Sequence, residues 1–418
     1  MSRLVLATYG SLGDLHPVFA LALELRRRGH AVAIATSEFY REKVSALGLG
    51  FAPLRPELSV VDPELVRRIM HPRRGSEFLV RELMIPAIRD MHADLARATA
   101  GADLLVTNEL VYAAPLLAKQ TGMRWVSYAL APMSYFSIFD PSVPPVAFAG
   151  AWAHRLPPFA VRASNACAAL LTRGWWRPVR TFRRELGLAP GGNPFFAGKH
   201  SPLLDLALFS PVLQSPQPDW PASTVQTGFC FHDEADSTPA LPAAVENFLA
   251  AGEPPIVFTL GSAAVLAADD FYIESARAAQ LLGRRAVLLL GENPPPPALP
   301  ASILAWDYLP FAQIFPRAAA VVHQGGVGTT AQVLRAGRPM LVIPFAHDQP
   351  DNAARVTRLG VARTLARRHS VAACMARELT ALLGTPHPAA RAAEIATRIG
   401  AERGAPAACD ALERTLTD

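Results

Sequence analysis

The sequence predicts an α/β protein made of two βα domains, each built on a parallel sheet. Over the first 130 residues short apolar runs alternate with helical patterns. A proline-rich break follows from Ser210 to Pro255, and the same alternation restarts at Ile256. Arg3 to Thr8 reads as the first strand. Pro17 opens a helix whose apolar face is Val18, Phe19, Leu21, Ala22 and Leu25; Arg26, Arg27 and Arg28 suit its negative end, and Gly29 stops it. Further strands are read at Ala31–Ala35, Leu104–Thr107 and Trp125–Ala129. The second half adds 256–262, Ala286–Leu290, Ala319–His323 and Met340–Ile343. The boundaries that follow are an N-terminal domain over 1–218, a linker over 219–255, a C-terminal domain over 256–400 and a helical tail over 401–418.

Composition narrows the class. Among 418 residues, 51% are apolar and 18% charged, which excludes intrinsic disorder. The net charge of +5 comes from scattered arginines (Lys43, Lys119 and Lys199 are the only lysines). No basic block interleaved with aromatics occurs, so a nucleic-acid partner is not expected. Cys167, Cys230, Cys374 and Cys409 lie far apart without a CxxC, which argues against a disulfide framework or zinc site and fits a reducing cytosol. The apolar start breaks at Thr8-Tyr9-Gly10, too early for a secretory segment, and no charge-free run of about 18 apolar residues follows. A cytoplasmic protein, soluble or peripheral to a membrane, is expected.

Residues 131–160 interleave six prolines with Tyr135, Phe136, Phe139, Phe148 and Trp152. Proline removes donors and breaks helices, so this stretch is either packed loop filling or the aromatic wall of a pocket. Tyr135, Phe136, Phe139 and Trp152 are the candidate acceptor contacts. Val161 to Arg184 carries six arginines and the Trp175-Trp176 pair. It reads as a solvated helix with one buried face, a membrane-surface contact being the other reading.

Three segments carry chemistry. Gly10-Ser11-Leu12-Gly13-Asp14-Leu15-His16-Pro17 joins the first strand to the first helix, where a backbone can approach a ligand and a helix offers free N–H groups. Asp14 and His16 there supply a candidate general base and a partner to orient it; a tight turn capped by Asp14 is the plain alternative. Val321 to Gln332 runs from a strand through His323-Gln324-Gly325-Gly326-Val327-Gly328 into Thr329-Thr330. Backbone N–H groups, hydroxyls and an imidazole converge there in a form suited to a diphosphate, without the lysine of a GxxxxGK[ST] loop. Next, Met340 to Ile343 leads into His347-Asp348-Gln349, where a carboxylate beside an amide suits adjacent sugar hydroxyls; the alternative is a helix cap by Asp348 or Asp351.

Taken with the downstream Asn352-Ala353-Ala354-Arg355-Val356 pattern, these segments resemble the UDP-glycosyltransferase superfamily of inverting GT-B enzymes. The resemblance covers both halves of the chain and is most specific from Trp306 to Gly360. It is closest to the bacterial branch with a G-[ST]-x-G-D-x-x-P loop, which includes sterol and lipid glucosyltransferases, antibiotic glycosyltransferases and the rhamnolipid rhamnosyltransferase. It implies two facing Rossmann-like domains, the first binding acceptor and the second the nucleotide sugar. It places Asp14 as base, with His16 the second choice. His323, Gly328 and Thr329 fall at the diphosphate and Ser262 near the phosphates; Gly13, Gly325 and Gly326 are further candidate donor-binding residues. Asp348 and Gln349 fall at the sugar, and Tyr308 at the nucleobase. The ribose-binding Glu of plant members has no counterpart, since Ala331 stands at that spacing; UDP-glucose and a dTDP-sugar both stay open as donor.

The resemblance further implies transfer of a hexose to an acceptor hydroxyl, and the apolar 131–160 stretch with the Trp175-Trp176 pair suggests that the acceptor is a hydrophobic small molecule or lipid. No DxD motif occurs, so no metal or other cofactor is expected. The competing readings are a non-catalytic partner of a glycosyltransferase, another GT-B nucleotide-sugar enzyme such as an epimerase, and an NAD-dependent oxidoreductase. The last would need GxGxxG and an acidic residue some 20 positions on.

Overall fold

The computed structural model describes residues 1–57, 62–144, 155–232 and 240–417. Two parallel sheets form the two lobes. The first has β1 (Arg3–Ala7), β2 (Ala31–Thr36), β3 (Gly50–Pro53), β4 (Leu104–Asn108), β5 (Trp125–Ala129), β6 (Asp205–Ala207) and β7 (Thr224–Gln226), in the order β3-β2-β1-β4-β5-β6-β7. The second has β8 (Ile256–Thr259), β9 (Ala286–Leu289), β10 (Ile303–Trp306), β11 (Ala320–His323), β12 (Met340–Val342) and β13 (Ala362–Thr364), in the order β10-β9-β8-β11-β12-β13. Central strands such as Leu4–Ala7 and Ala320–His323 are buried on both faces. That burial is why they read as unbroken apolar runs and not as alternating ones.

In both sheets the strand order reverses at a central parallel pair, β1 beside β4 and β8 beside β11. Ligands of open α/β sheets bind beyond the strand ends at such switch points. The turn after β1 and the turn after β11 are the Gly-rich segments.

The first helix differs from the sequence expectation. It spans Leu12–Arg27, with Pro17 inside it. Ser11 is the N-cap: Gly13 N–H donates to Ser11 Oγ (3.3 Å) and Ser11 N–H donates to Asp14 Oδ2 (2.8 Å), a reciprocal capping box. That box starts the helix five residues early. Pro17 is tolerated because the only backbone bond it forfeits is the one Gly13 O would accept.

The segment 219–255, expected as linker, is not all linker. β7 lies within it and closes the edge of the first sheet, and a helix Ala243–Ala250 leads into β8. A three-residue edge strand survives between prolines because an edge strand needs only one hydrogen-bonded side. The helix Ala405–Thr417, at the expected tail, returns to the first lobe. There Arg28 Nη1 donates to Asp410 Oδ1 and Glu413 Oε2, both at 2.7 Å. Of the Trp175-Trp176 pair, Trp176 is wholly buried, packed edge-on against Tyr112 and Phe195. Among the described residues no helix is long and apolar enough to cross a membrane.

Candidate functional site

The N-termini of two helices, one per lobe, meet across the cleft. The helix Val327–Arg335 begins at Gly326. A Cβ placed on Gly328 would stand 3.7 Å from both the Cα and the carbonyl oxygen of Gly13 in the Leu12–Arg27 helix. The positive ends of two helices thus come together from opposite lobes, an arrangement that favours an anion beside them. Glycine is required where the chain turns into it. Gly325 has φ +89°, and a Cβ there would lie 2.7 Å from Val342 Cγ1.

Asp14 sits at the rim of this space. Gly10, at φ +135°, lies directly beneath it: a Cβ on Gly10 would fall 2.1 Å from Asp14 Oδ2. Burial raises the Asp14 carboxyl to about 7, against the Ser11 N–H bond that lowers it and with the charge of Asp348 adding to the rise. A carboxyl so tuned is ionised for a large fraction of molecules at neutral pH yet holds a proton well, the property of a general base. The His16 ring lies 5.6 Å from that of His232 and 6.2 Å from that of Phe19.

From the other lobe come Asp348 and Gln349 at the head of the helix Gln349–Arg358. His347 before them adopts φ +58°, a left-handed conformation costly for a side chain with Cβ. Its Nδ1 lies 3.0 Å from Ser76 Oγ of the first lobe, and burial lowers its pKa to about 4, so the ring is neutral. Sequence reasoning did not single out His347 for this; a strained backbone leaves no mark in residue type. Burial also pushes the Asp348 carboxyl up, to about 6, although its Oδ2 accepts a bond from Asn352 Nδ2 (2.7 Å). Gln349 is only partly available to a sugar. Its Oε1 accepts from Phe345 N–H (2.7 Å) and Ala346 N–H (3.1 Å), leaving the amide end for a ligand.

His323 differs from expectation. It is fully buried; its Nδ1 accepts from Gly325 N–H (3.0 Å) and its Nε2 lies 3.3 Å from Met340 Sδ. Burial lowers its pKa to about 3, so it is a neutral imidazole. In this arrangement the ring holds the Gly325 turn in place and does not face the cleft. Thr329 lies nearby at the first helical turn and is buried. Ser262 is half-buried in the loop after β8; a Cβ on its neighbour Gly261 would lie 2.3 Å from Gln324 Nε2, so the two turns touch.

Tyr308 is 64% exposed beside a cavity of about 460 Å³ that it lines with Gly291, Glu292, Asn293 and Asp307, at the ends of β9 and β10. These neighbours lie beyond the motifs legible in sequence.

The expected acceptor contacts separate. Tyr135 is built into the first lobe, stacked at 4.2 Å on Trp220 and 5.0 Å on His200, its hydroxyl donating to Asp205 Oδ2 (2.7 Å). These contacts fix the ring within the first lobe. Phe136 packs on Phe196 at 4.9 Å and Phe139 is exposed. Trp152 lies outside the described residues.

Comparison with known proteins bears on both lobes. Residues 4–121 match the glycosyltransferase family 28 N-terminal domain, and residues 287–409 match the erythromycin biosynthesis protein CIII-like C-terminal domain. The chain is 35% identical to the O-mycaminosyltylonolide 6-deoxyallosyltransferase of Streptomyces fradiae, over 98% of this chain and 97% of the relative. It is 30% identical to the glycosyltransferase GtfC of Amycolatopsis orientalis, over 99% and 98%. Among solved structures, the glycotransferase of kitacinnamycin superimposes with TM-score 0.75 at 21% identity, covering 99% of each chain. The spinosyn rhamnosyltransferase SpnG complexed with thymidine diphosphate does so with TM-score 0.68 at 18% identity, over 98% and 100%. With helix N-termini facing across two parallel-sheet lobes and this identity along nearly its whole length, the chain belongs to the antibiotic-type glycosyltransferases of the GT-B fold, within the UDP-glycosyltransferase superfamily.

Proposed function

We propose that this glycosyltransferase moves a hexosyl group, with inversion, from a dTDP-sugar to a hydroxyl of a hydrophobic natural product. The observation that carries the reading is the placement of Asp14, a carboxyl with raised proton affinity, beside two facing helix N-termini. In this reading the diphosphate lies between Gly13 and the Gly325–Thr329 turn, the base rests against Tyr308, and the sugar reaches Asp348 and the amide of Gln349. Asp14 takes the acceptor proton as the oxygen attacks the anomeric carbon from the face opposite the diphosphate. The bond to the diphosphate breaks in the same displacement, and the helix N–H groups meet the charge that develops on it. The acceptor approaches from the first lobe, past Phe136 and Phe139.

The dTDP preference draws on Ala331, which cannot bind a ribose hydroxyl as a glutamate does, and on the thymidine diphosphate carried by the neighbour SpnG. No metal is part of the proposal, because helix ends already face the leaving group. Calorimetric titration with thymidine diphosphate and uridine diphosphate, then transfer assays with dTDP-sugars and pooled macrolide and polyketide aglycones, tests it. Expected are tighter binding of thymidine diphosphate, transfer undiminished by a chelator, and a β-linked product from an α-linked donor. Retention of anomeric configuration, or binding of neither nucleotide, would overturn the reading.

A further inference from the structure

The helix Gln349–Arg358 carries Asp348 and Gln349 at its head, and its body is fastened to the opposite lobe. Asp351, Asn352 and Arg355 are 1%, 0% and 1% exposed. Arg355 Nε donates to Asp351 Oδ2 one helical turn back (2.8 Å), and Arg355 Nη1 donates to Asp140 Oδ2 of the first lobe (2.5 Å). Asp351 Oδ1 accepts from the backbone N–H of Val143 (2.9 Å). Arg358 Nη1 adds a bond to Asp140 Oδ1 (3.0 Å), and Gln214 Nε2 another to Asp140 Oδ2 (3.0 Å).

A pair within one helix would satisfy itself locally. Here both members of the Asp351–Arg355 pair reach across the interface to one short segment, Arg355 to Asp140 and Ser142 and Asp351 to Val143. A guanidinium this buried is strongly unfavourable unless its partners are in place, so the contact tolerates little sliding between lobes. The same first turn of the helix is also tied to the Gly325 turn. Asn352 Nδ2 donates both to Gly325 O (2.9 Å) and to Asp348 Oδ2 (2.7 Å).

We infer that Arg355, clamped between Asp351 and Asp140, is a positioning residue: it fixes the helix Gln349–Arg358 against the first lobe, and through Asn352 sets where Asp348 and the Gly325 turn stand relative to Asp14. It touches no reacting atom. The link to catalysis rests on the function proposed above, whereas the mechanical link does not.

Hydrogen exchange on the full chain, read by mass spectrometry, separates the two. In Asp140→Asn, amides of 140–143 and of 345–352 exchange at least tenfold faster, while β4 and β8 keep their protection. Arg355→Lys, which keeps the charge but loses the fork, gives an intermediate effect. Arg358→Met, which removes an outer partner and leaves the buried pair, gives a weaker version of the same pattern if Asp140→Asn proves unstable. Kinetically, Asp140→Asn binds thymidine diphosphate within twofold of wild type but turns over roughly tenfold more slowly. Faster exchange confined to 140–143, or loss of protection across both lobes alike, would overturn the inference, whichever nucleotide and acceptor the enzyme uses. The expected exchange pattern with unaltered turnover would overturn the catalytic half.

Discussion

The negative charge of Asp348, on the second lobe, raises the proton affinity of Asp14 on the first. Burial is the larger cause for each carboxyl, but the coupling between them exists only when the lobes are apposed. The proton-accepting strength of Asp14 therefore depends in part on a charge of the second lobe.

That coupling predicts the pH profile. The base acts when ionised, so kcat/KM should fall as pH drops through about 7, the position to which the Asp14 carboxyl is raised. Asp348→Asn removes the like charge and should move this acid limb to lower pH, even while the residual rate is reduced by a weaker sugar contact. A limb left at the same pH in Asp348→Asn would mean that the two carboxylates do not sense each other.

Gly10→Ala should damage the chemistry more than the fold. Its Cβ would fall 2.1 Å from Asp14 Oδ2 at a φ of +135° that alanine rarely adopts. The expected cost is about 1–3 kcal/mol in stability and roughly a hundredfold or more in turnover. Affinity for thymidine diphosphate should be nearly unchanged, since the diphosphate is assigned to the Gly325–Thr329 turn. Unfolding titrations, single-turnover rates and calorimetry on one preparation distinguish these effects.

His323 offers a sharp contrast between two substitutions. Because its Nδ1 accepts from Gly325 N–H, asparagine can supply an acceptor at about the same place, whereas alanine leaves that N–H unpaired. His323→Asn should keep nucleotide affinity within about threefold, and His323→Ala should lose about tenfold, in line with roughly 1–1.5 kcal/mol for a hydrogen bond. Equal losses in both would point instead to direct donation from the imidazole Nε2 to the phosphate.

The strands and the glycine turn after β11 were legible in the sequence because each is a local pattern. Ala320–His323 is a run of buried apolar residues, and Gly325, Gly326 and Gly328 mark a turn that Cβ atoms would obstruct. β6 escaped notice because its three residues include Asp205, whose buried carboxylate is accounted for only by His200, Tyr135, Ser127 and Thr224 around it. The packing of Tyr135 was hidden for the same reason: an aromatic in a proline-rich loop looks alike in sequence whether it lines a cleft or stacks on neighbouring rings. The fastening of Asp140 to Arg355 joins residues 215 positions apart, and nothing local to either one signals the other.

The assignment of the base itself is open to a direct test, because Asp14 carries two jobs that one substitution can separate. As the third residue of its helix it accepts Ser11 N–H, and in the proposed function it also takes the acceptor proton. Asp14→Asn keeps an oxygen for Ser11 and removes the basicity, so the helix start should persist while turnover falls roughly 10²–10⁴-fold. The same change should raise stability at alkaline pH. The folded-state pKa of Asp14 lies above its unfolded value, so the wild type loses stability as pH rises from about 4 through about 7, and the variant does not. Melting temperatures should therefore converge near pH 4 and favour the variant by about 1–3 °C at pH 8.5. His16, packed beside His232 and Phe19, should behave differently: His16→Ala is expected to raise the acceptor KM with a smaller loss in kcat. An aliphatic alcohol is the proper acceptor, because an acidic phenol needs less help to lose its proton and would mask the loss of the base. If His16→Ala abolishes turnover while Asp14→Asn retains most of it, then His16 is the base and Asp14 serves the helix cap alone.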